Sequence, residues 1–176
     1  FSLLLRIVFL VWQLNDLELS VFSLIKILGI GLFFDIGVLS FLFVISTFYI
    51  LLIPQKWIGS KLDKLLIYSG FSLTLFIFVF TFFAEITFWE EFKCRFNFVA
   101  VDYLIYTFEV VQNIHESYPL YLLIPAMLLI TGIIIFYFWK KQYFSETFNA
   151  QISIKNRVIS FLISLIVVLF YTFFIS

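Results

Sequence analysis

Charged residues are scarce in this sequence, and their scarcity excludes an ordinary soluble domain. Only 12% of the 176 residues are Asp, Glu, Lys or Arg, while 64% are hydrophobic. A soluble globular domain carries about 25% charged residues, and the mean hydropathy of +1.14 lies equally far from that class. The 11 basic and 11 acidic residues cancel, and a formal net charge of zero argues against a nucleic-acid partner.

Cysteine and histidine are nearly absent too, which limits the chemistry that the chain itself can carry. Cys94 is the single cysteine and cannot form an internal disulfide. His115 is the single histidine, and one histidine among scattered carboxylates lacks the ligand spacing of a zinc site. The sequence contains no glycine-rich phosphate loop, nucleophile elbow or cysteine pair. We therefore expect no catalytic residue, metal or cofactor in this segment.

Long uncharged apolar runs are what the sequence has in abundance. Four runs measure about 18–23 residues, and ~20 helical residues at ~1.5 Å rise cross the ~30 Å hydrocarbon core of a bilayer. They cover 36–53, 65–84, 117–139 and 158–176. Backbone polar groups in lipid must be satisfied within the segment, and these runs lack the polar–apolar alternation of barrel strands. The sequence therefore predicts an all-α fold, a polytopic transmembrane helical bundle.

The chain is expected to form a single transmembrane domain with four full spans and the remnant of a first one. The predicted bounds are 1–12 for the partial span, then 33–53, 65–85, 119–139 and 157–176, with an external segment at 86–118. The sequence starts at Phe1 within apolar residues and stops in LISLIVVLFYTFFIS without a charged flank. We interpret it as an excerpt from a longer protein, with a further domain expected after residue 176.

The distribution of charge predicts the orientation of the spans. The connections 54–64 and 140–157 hold seven of the 11 basic residues against two acidic ones, and two spans separate them. The positive-inside rule places such loops in the cytoplasm, so segment 85–119 and the C-terminus are expected outside it. Trp57 and Trp139 lie at the same boundary, where an aromatic belt is expected.

Two isolated acidic residues, Asp35 and Glu85, are predicted to lie at the outer interface. Asp35 is about 19 residues from the inner end of its apolar run, and an acidic side chain costs ~2.5–3.5 kcal/mol only near the bilayer centre. Three flanking glycines are expected to loosen or break the helix there: Gly29, Gly31 and Gly37. We interpret Asp35 as a cap that accepts backbone N–H bonds. Glu85 ends an uncharged run of about 20 residues and reaches the same surface.

One passage is polar in this apolar chain, RFNFVAVDYLIYTFEVVQNIHESYP at 95–119. Its polar residues recur every four or three positions and share one helical face: Asp102, Tyr106, Glu109, Asn113 and Glu116. The opposite face is apolar, which predicts an extracytoplasmic interfacial amphipathic helix lying in the membrane plane. Pro119 ends it and opens the next span. The acidic face suits docking of a partner domain or contact with lipid head groups better than catalysis.

The candidate site for docking or head-group contact comprises Arg95, Asn97, Asp102, Tyr103, Tyr106, Glu109, Asn113 and Glu116. The segments GLFFD at 31–35 and RFN, VDYLIY, EV and ESYP within 95–119, about 30 residues in all, resemble one family. This is the lipoteichoic acid synthase family, the sulfatase-like phosphoglycerol transferases, in its membrane portion. Weaker similarity extends to LLRIVFL at 4–10, and the family usually has an arginine where this chain has Phe33.

The resemblance implies a five-span anchor in a bacterial cytoplasmic membrane, followed by an extracytoplasmic catalytic domain. That domain would have an alkaline phosphatase-like fold, a divalent metal (Mn or Zn) and a threonine nucleophile, and would transfer glycerol phosphate from a phospholipid. The implied partners are membrane lipids and the protein's own C-terminal domain. Arg95 would pair with a phosphate or a partner carboxylate, and Asp102 and Glu109 with basic groups of that domain.

Other functions remain open at this point. Phosphoethanolamine transfer and sulfatase-like hydrolysis fit the same anchor equally well. A stand-alone membrane scaffold or a transporter subunit without catalysis is the alternative class. Transport favours ionisable residues deep within spans, and the four long apolar runs contain none.

Overall fold

The computed structural model describes residues 1–13, 20–96 and 118–175, and these residues are helical as predicted. In all, 84% of them lie in helices, and none lies in a strand. The α-helices are α1 (Ser2–Trp12), α2 (Val21–Leu52), α3 (Lys61–Phe92), α4 (Leu120–Lys140), α5 (Ser145–Phe148) and α6 (Ile154–Ile175). A 3-10 turn (Gln55–Trp57) precedes α3. Helices α2, α3, α4 and α6 are long and apolar enough to cross a membrane, which confirms the all-α, multi-pass fold class.

Helices α2 and α3 extend beyond the spans that the apolar runs predict. Each has 32 residues, or about 48 Å at ~1.5 Å per residue, against ~30 Å of hydrocarbon. The start of α2 is capped by Ser20, whose side chain accepts from the Phe22 N–H at 3.3 Å. Each residue added to an existing helix gains a backbone hydrogen bond, so a helix continues past the lipid until a breaker such as Pro54. Helix α4 begins directly after Pro119, as predicted.

The glycines of α2 do not break the helix, and that expectation was wrong. Gly29, Gly31 and Gly37 all lie within a continuous α2. A Cβ added at Gly31 would overlap the guanidinium of Arg6, and one at Gly37 would lie 2.7 Å from Cδ1 of Tyr171. Two of the glycines therefore serve close packing, because only a residue without a side chain lets α1 and α6 approach α2 this closely.

The chain divides into two compact units. The first unit comprises Phe1–Lys64 and Ser145–Ser176. In it α2 packs along α6, and the hydroxyls of Thr47 and Ser164 share a buried hydrogen bond of 2.7 Å across the two helices. Small and hydroxyl-bearing residues are the usual means of joining helices in lipid, where burying apolar surface does not drive association.

In the second unit, Leu65–Phe144, aromatic rings join α3 to the end of α4. The ring of Phe71 on α3 lies 5.1 Å from those of both Phe138 and Phe144, and Tyr68 lies 5.4 Å from Phe144. Such pairs contribute about 0.5–1.5 kcal/mol each beyond their burial. They connect α3 with the end of α4 and the residues that follow it.

Candidate functional site

The described start of the polar passage is tied to α3 by an ion pair between Arg95 and Glu85. Arg95 donates from Nε to Oε2 of Glu85 at 2.7 Å and from Nη2 to Oε1 at 2.8 Å. The Glu85 side chain is buried, whereas 38% of the Arg95 side chain is exposed. A two-bond arrangement of this kind fixes the orientation of the guanidinium as well as its distance.

A left-handed residue at the end of α3 turns the chain back, which brings Arg95 next to Glu85. Helix α3 ends at Phe92, and Lys93 adopts a φ of 53°, in the left-handed region. Its N–H donates to the carbonyl of Trp89 at 2.8 Å, which closes the last turn of the helix. The chain therefore turns back, and the ring of Phe96 packs 5.0 Å from that of Phe88. Left-handed backbone costs an ordinary residue roughly 1–2 kcal/mol, which the contacts of Arg95 and Phe96 offset.

The ion pair gives Arg95 a partner that the sequence analysis did not foresee. Arg95 was expected to meet a phosphate or a carboxylate of another domain, and Glu85 was treated as a separate interface residue. The structure joins the two across the end of α3. The remaining predicted site residues lie outside the described residues and stay predictions: Asn97, Asp102, Tyr103, Tyr106, Glu109, Asn113 and Glu116. The amphipathic helix expected at 99–116 lies there too.

The far end of the polar passage, at Tyr118, is influenced by the acidic residues at the end of α3. Burial raises the pKa of the Tyr118 phenol above its ordinary value, and the negative charges of Glu90 and then Glu91 raise it further. Tyr118 is therefore a neutral hydroxyl at physiological pH. Arg95 is paired with Glu85, and the charges of Glu90 and Glu91 act on Tyr118, so both ends of the passage interact electrostatically with the last turns of α3.

A second ion pair connects α1 to α2, and it corrects the role predicted for Asp35. Arg6 donates from Nη1 to Oδ2 of Asp35 at 2.6 Å, and from Nη2 to Oδ1 at 2.9 Å and to the carbonyl of Gly31 at 2.9 Å. Asp35 lies well inside α2, whose cap is Ser20, so the capping prediction was wrong. A charge in apolar surroundings requires an opposite charge, and the lone Arg6 of α1 supplies it.

Position 33 holds a phenylalanine where the family that the sequence resembles usually has an arginine. The contacts described for Phe33 are with other aromatic rings. Its ring lies 4.9 Å from that of Tyr171 and 5.3 Å from that of Phe174, both on α6. The position therefore contributes to the packing of α2 against α6.

The two basic loops meet at one end of the first unit, which we call the basic end (residues 50–64 and 145–157). The buried Arg157 donates from Nη1 to the carbonyls of Ile50 (3.1 Å) and Ile53, from Nε to the carbonyl of Ile152 (3.1 Å), and from Nη2 to Oε1 of Gln55. Gln55 in turn donates to the carbonyl of Ala150 at 2.9 Å. The loops therefore share a side, as counting the spans predicts. From the sequence, Arg157 was counted only as one of the basic residues of the 140–157 connection, and nothing in the pattern predicts this role.

The acidic residue of the first basic loop is also held in place. Asp63 is buried and accepts from the hydroxyl of Tyr49 at 2.5 Å and from the N–H of Gly59 at 2.7 Å. Gly59 has a φ of +76°, and an added Cβ would overlap the carbonyl oxygen of Phe148. Glycine is needed there for both reasons.

The described residues offer no site for metal chemistry, and comparison with known proteins adds no identity. Within 1–13, 20–96 and 118–175, no group of three or more His, Cys, Asp or Glu side chains could hold a metal ion. No family model matches the chain, and no curated protein or solved structure is significantly similar to it.

Proposed function

We propose that this chain is the membrane anchor and lipid-side platform of an extracytoplasmic, alkaline phosphatase-like transferase. The transferase would act on phospholipid head groups by phosphoglycerol transfer, through a catalytic domain that follows residue 176 and holds a divalent Mn or Zn ion. The anchor lies in a bacterial cytoplasmic membrane with loops 54–64 and 140–157 inside. Segment 85–119 and the C-terminus lie outside. Four helices able to cross a membrane, the distribution of charge and the resemblance of 95–119 support the proposal.

The observation that carries the proposal is the Arg95–Glu85 ion pair. A platform for a lipid-modifying domain has to be fixed relative to the membrane, and this pair fixes the start of the polar passage to a spanning helix. The ion pair uses Nε and Nη2 of Arg95, so Nη1 is the nitrogen through which the exposed part of the side chain would meet a phosphate oxygen.

Substitution of Arg95 in the native protein tests the platform. Arg95→Ala should lower lipid transfer while largely preserving hydrolysis of a small soluble phosphodiester, because the soluble ester does not need the membrane-side contact. Glu85→Gln should lower transfer less, since it leaves the charge of Arg95 in place. Equal loss of lipid transfer and ester hydrolysis in Arg95→Ala would contradict the platform, because it would show general damage to the fold.

The size of the native protein tests the enzyme part of the proposal. An antibody against residues 92–118 should detect a band well above the 20.9 kDa of this chain. Protease added from outside intact cells should release a large soluble fragment. A native protein of this chain's own mass would rule out an appended catalytic domain.

A second candidate is a stand-alone scaffold or transporter subunit without catalysis. One observation favours it: the Arg6–Asp35 ion pair joins two apolar helices, and ionisable residues in such helices often line transport pathways. Ion or substrate flux through vesicles containing the purified protein, abolished by Asp35→Asn, would support this candidate over the enzyme anchor.

A further inference from the structure

The basic end contains a groove of about 610 Å³ that none of the predicted site residues lines. One wall is the apolar end of α2, with Leu51 and Leu52, and the other is the start of α6. Polar side chains on its surface come from Gln55, Gln151, Ser153 and Arg157. A surface that combines apolar walls with a few polar groups at one place fits an amphipathic ligand.

The charge of Arg157 is not matched by a carboxylate within the described part of the chain. Only 4% of Arg157 is exposed, yet its described acceptors are three backbone carbonyls and the Gln55 side-chain amide, all of them neutral. Asp63 is held by Tyr49 and Gly59, and Glu146 is exposed on α5. Buried charges are normally paired, so the groove wall carries a positive charge that an anion would complement.

Arg157 also has a hydrogen-bond donor left over for an anionic ligand. A guanidinium has five N–H donors, and the contacts that Arg157 makes with described residues use four, leaving one Nη2 proton for a ligand. Ser153 also lies at the groove and accepts from the N–H of Asn156 at 3.3 Å, so the groove includes the capped start of α6. The positive end of the helix dipole adds to the attraction for an anion. Lys56 and Lys155 are exposed on the same two loops.

We propose that this groove binds the head group of an anionic phospholipid. The phosphate would contact Arg157 beside the start of α6, and the acyl chain would run along Leu51 and Leu52 into the lipid. Basic pockets at the cytoplasmic ends of membrane helices bind anionic head groups in this way. The inference does not depend on the proposed function, because it is drawn from residues of the first unit alone and from none in segment 85–119.

The first test places a negative charge in the groove and leaves the Arg157 residue itself unchanged. Ser153→Asp retains the helix cap, since aspartate caps as well as serine does. The whole chain is purified into mixed micelles of equimolar phosphatidylcholine and phosphatidylglycerol, and the retained lipids are counted by native mass spectrometry. The wild type should be enriched in phosphatidylglycerol, and Ser153→Asp should lower that enrichment about five-fold. Ser145→Asp makes the same change on the same loop outside the groove and should retain the enrichment.

Equal enrichment in the two aspartate variants, whether high or low, overturns the proposal, because it would show a diffuse charge effect. A second pair of variants removes positive charge. Arg157→Gln should lose the enrichment, whereas the exposed Lys155→Gln should retain most of it. If Lys155→Gln loses as much as Arg157→Gln, the proposal is likewise overturned.

Free phosphate shares the chemistry of a lipid head group, so a separate arm distinguishes the two sources. Thermal unfolding is measured in phosphatidylcholine micelles with added inorganic phosphate or glycerol phosphate. The lipid proposal expects no rise in Tm from either anion and a rise from phosphatidylglycerol that Ser153→Asp abolishes. A Tm rise from inorganic phosphate alone, lost in Ser153→Asp, would assign the groove to a soluble phosphate and overturn the lipid proposal.

Discussion

Replacing Asp35 by asparagine should release α1 from α2. Among the residues that the structure describes, Asp35 accepts two charge-assisted hydrogen bonds from Arg6 and the carbonyl of Gly31 accepts one. Asparagine preserves the shape of the side chain but removes the negative charge, so the guanidinium of Arg6 would lose its ion pair with Asp35. Breaking a buried ion pair in this way costs about 3–5 kcal/mol.

We take the lower end of that range, about 3 kcal/mol, because 25% of the Asp35 side chain is exposed to solvent. That free energy corresponds to roughly a 100-fold change in the equilibrium between docked and released α1. Amide hydrogen exchange in detergent micelles measures this equilibrium directly. Protection of residues 2–12 should fall roughly 100-fold in Asp35→Asn, while α4, in the other unit, keeps its protection.

A double-mutant cycle separates the pair from general damage. Arg6→Gln and Asp35→Asn together should cost less than the sum of the two single changes, because no charge then remains unmatched. Glu146→Gln removes a carboxylate that is exposed on α5 and should leave the exchange of α1 unchanged. Additive single effects, or protection of α1 within about two-fold of the wild type in Asp35→Asn, would refute the reasoning.

Three further predictions concern the packing at Gly37, the backbone at Lys93 and the ionisation of Tyr118. Gly37→Leu should lower the free energy of unfolding by about 1–3 kcal/mol, seen as a lower Tm, because its side chain meets Tyr171. Gly29→Leu, with nothing within 4 Å of an added Cβ, should not lower it, and equal losses would contradict the packing role. Lys93→Gly should raise the thermal stability of the second unit by roughly 0.5–1 kcal/mol, since glycine adopts its left-handed conformation without strain; no gain would show that the turn is unstrained. Ultraviolet titration should show Tyr118 ionising above the usual value of about 10. The raised pKa means that Tyr118 stabilises the fold below that usual value and loses this contribution as the pH rises through its own pKa, so Tyr118→Phe should unfold less readily in alkali.

The sequence alone was enough to predict the fold class, because the property that decides it acts within single segments. A run of about 20 apolar residues has to satisfy its own backbone in lipid, whatever the rest of the chain does. The ends of two helices could be predicted for the same reason: Pro54 follows Ile53, the C-cap of α2, and Pro119 directly precedes α4. The start of α2 could not be predicted in this way. The helix begins after Ser20, and its first residues do not belong to the long uncharged apolar run.

The partners of the charged residues were decided only by tertiary structure. Arg6 and Asp35 are 29 positions apart, and Arg157 meets Gln55 across 102 positions. The sequence indicates that such residues need partners, since a charge near lipid is costly alone. It does not say which ones, because a hydrogen bond of about 3 Å depends on how two helices are placed against each other. The same holds for the glycines of α2, which composition alone predicts to weaken a helix and which the packing of Arg6 and Tyr171 instead requires.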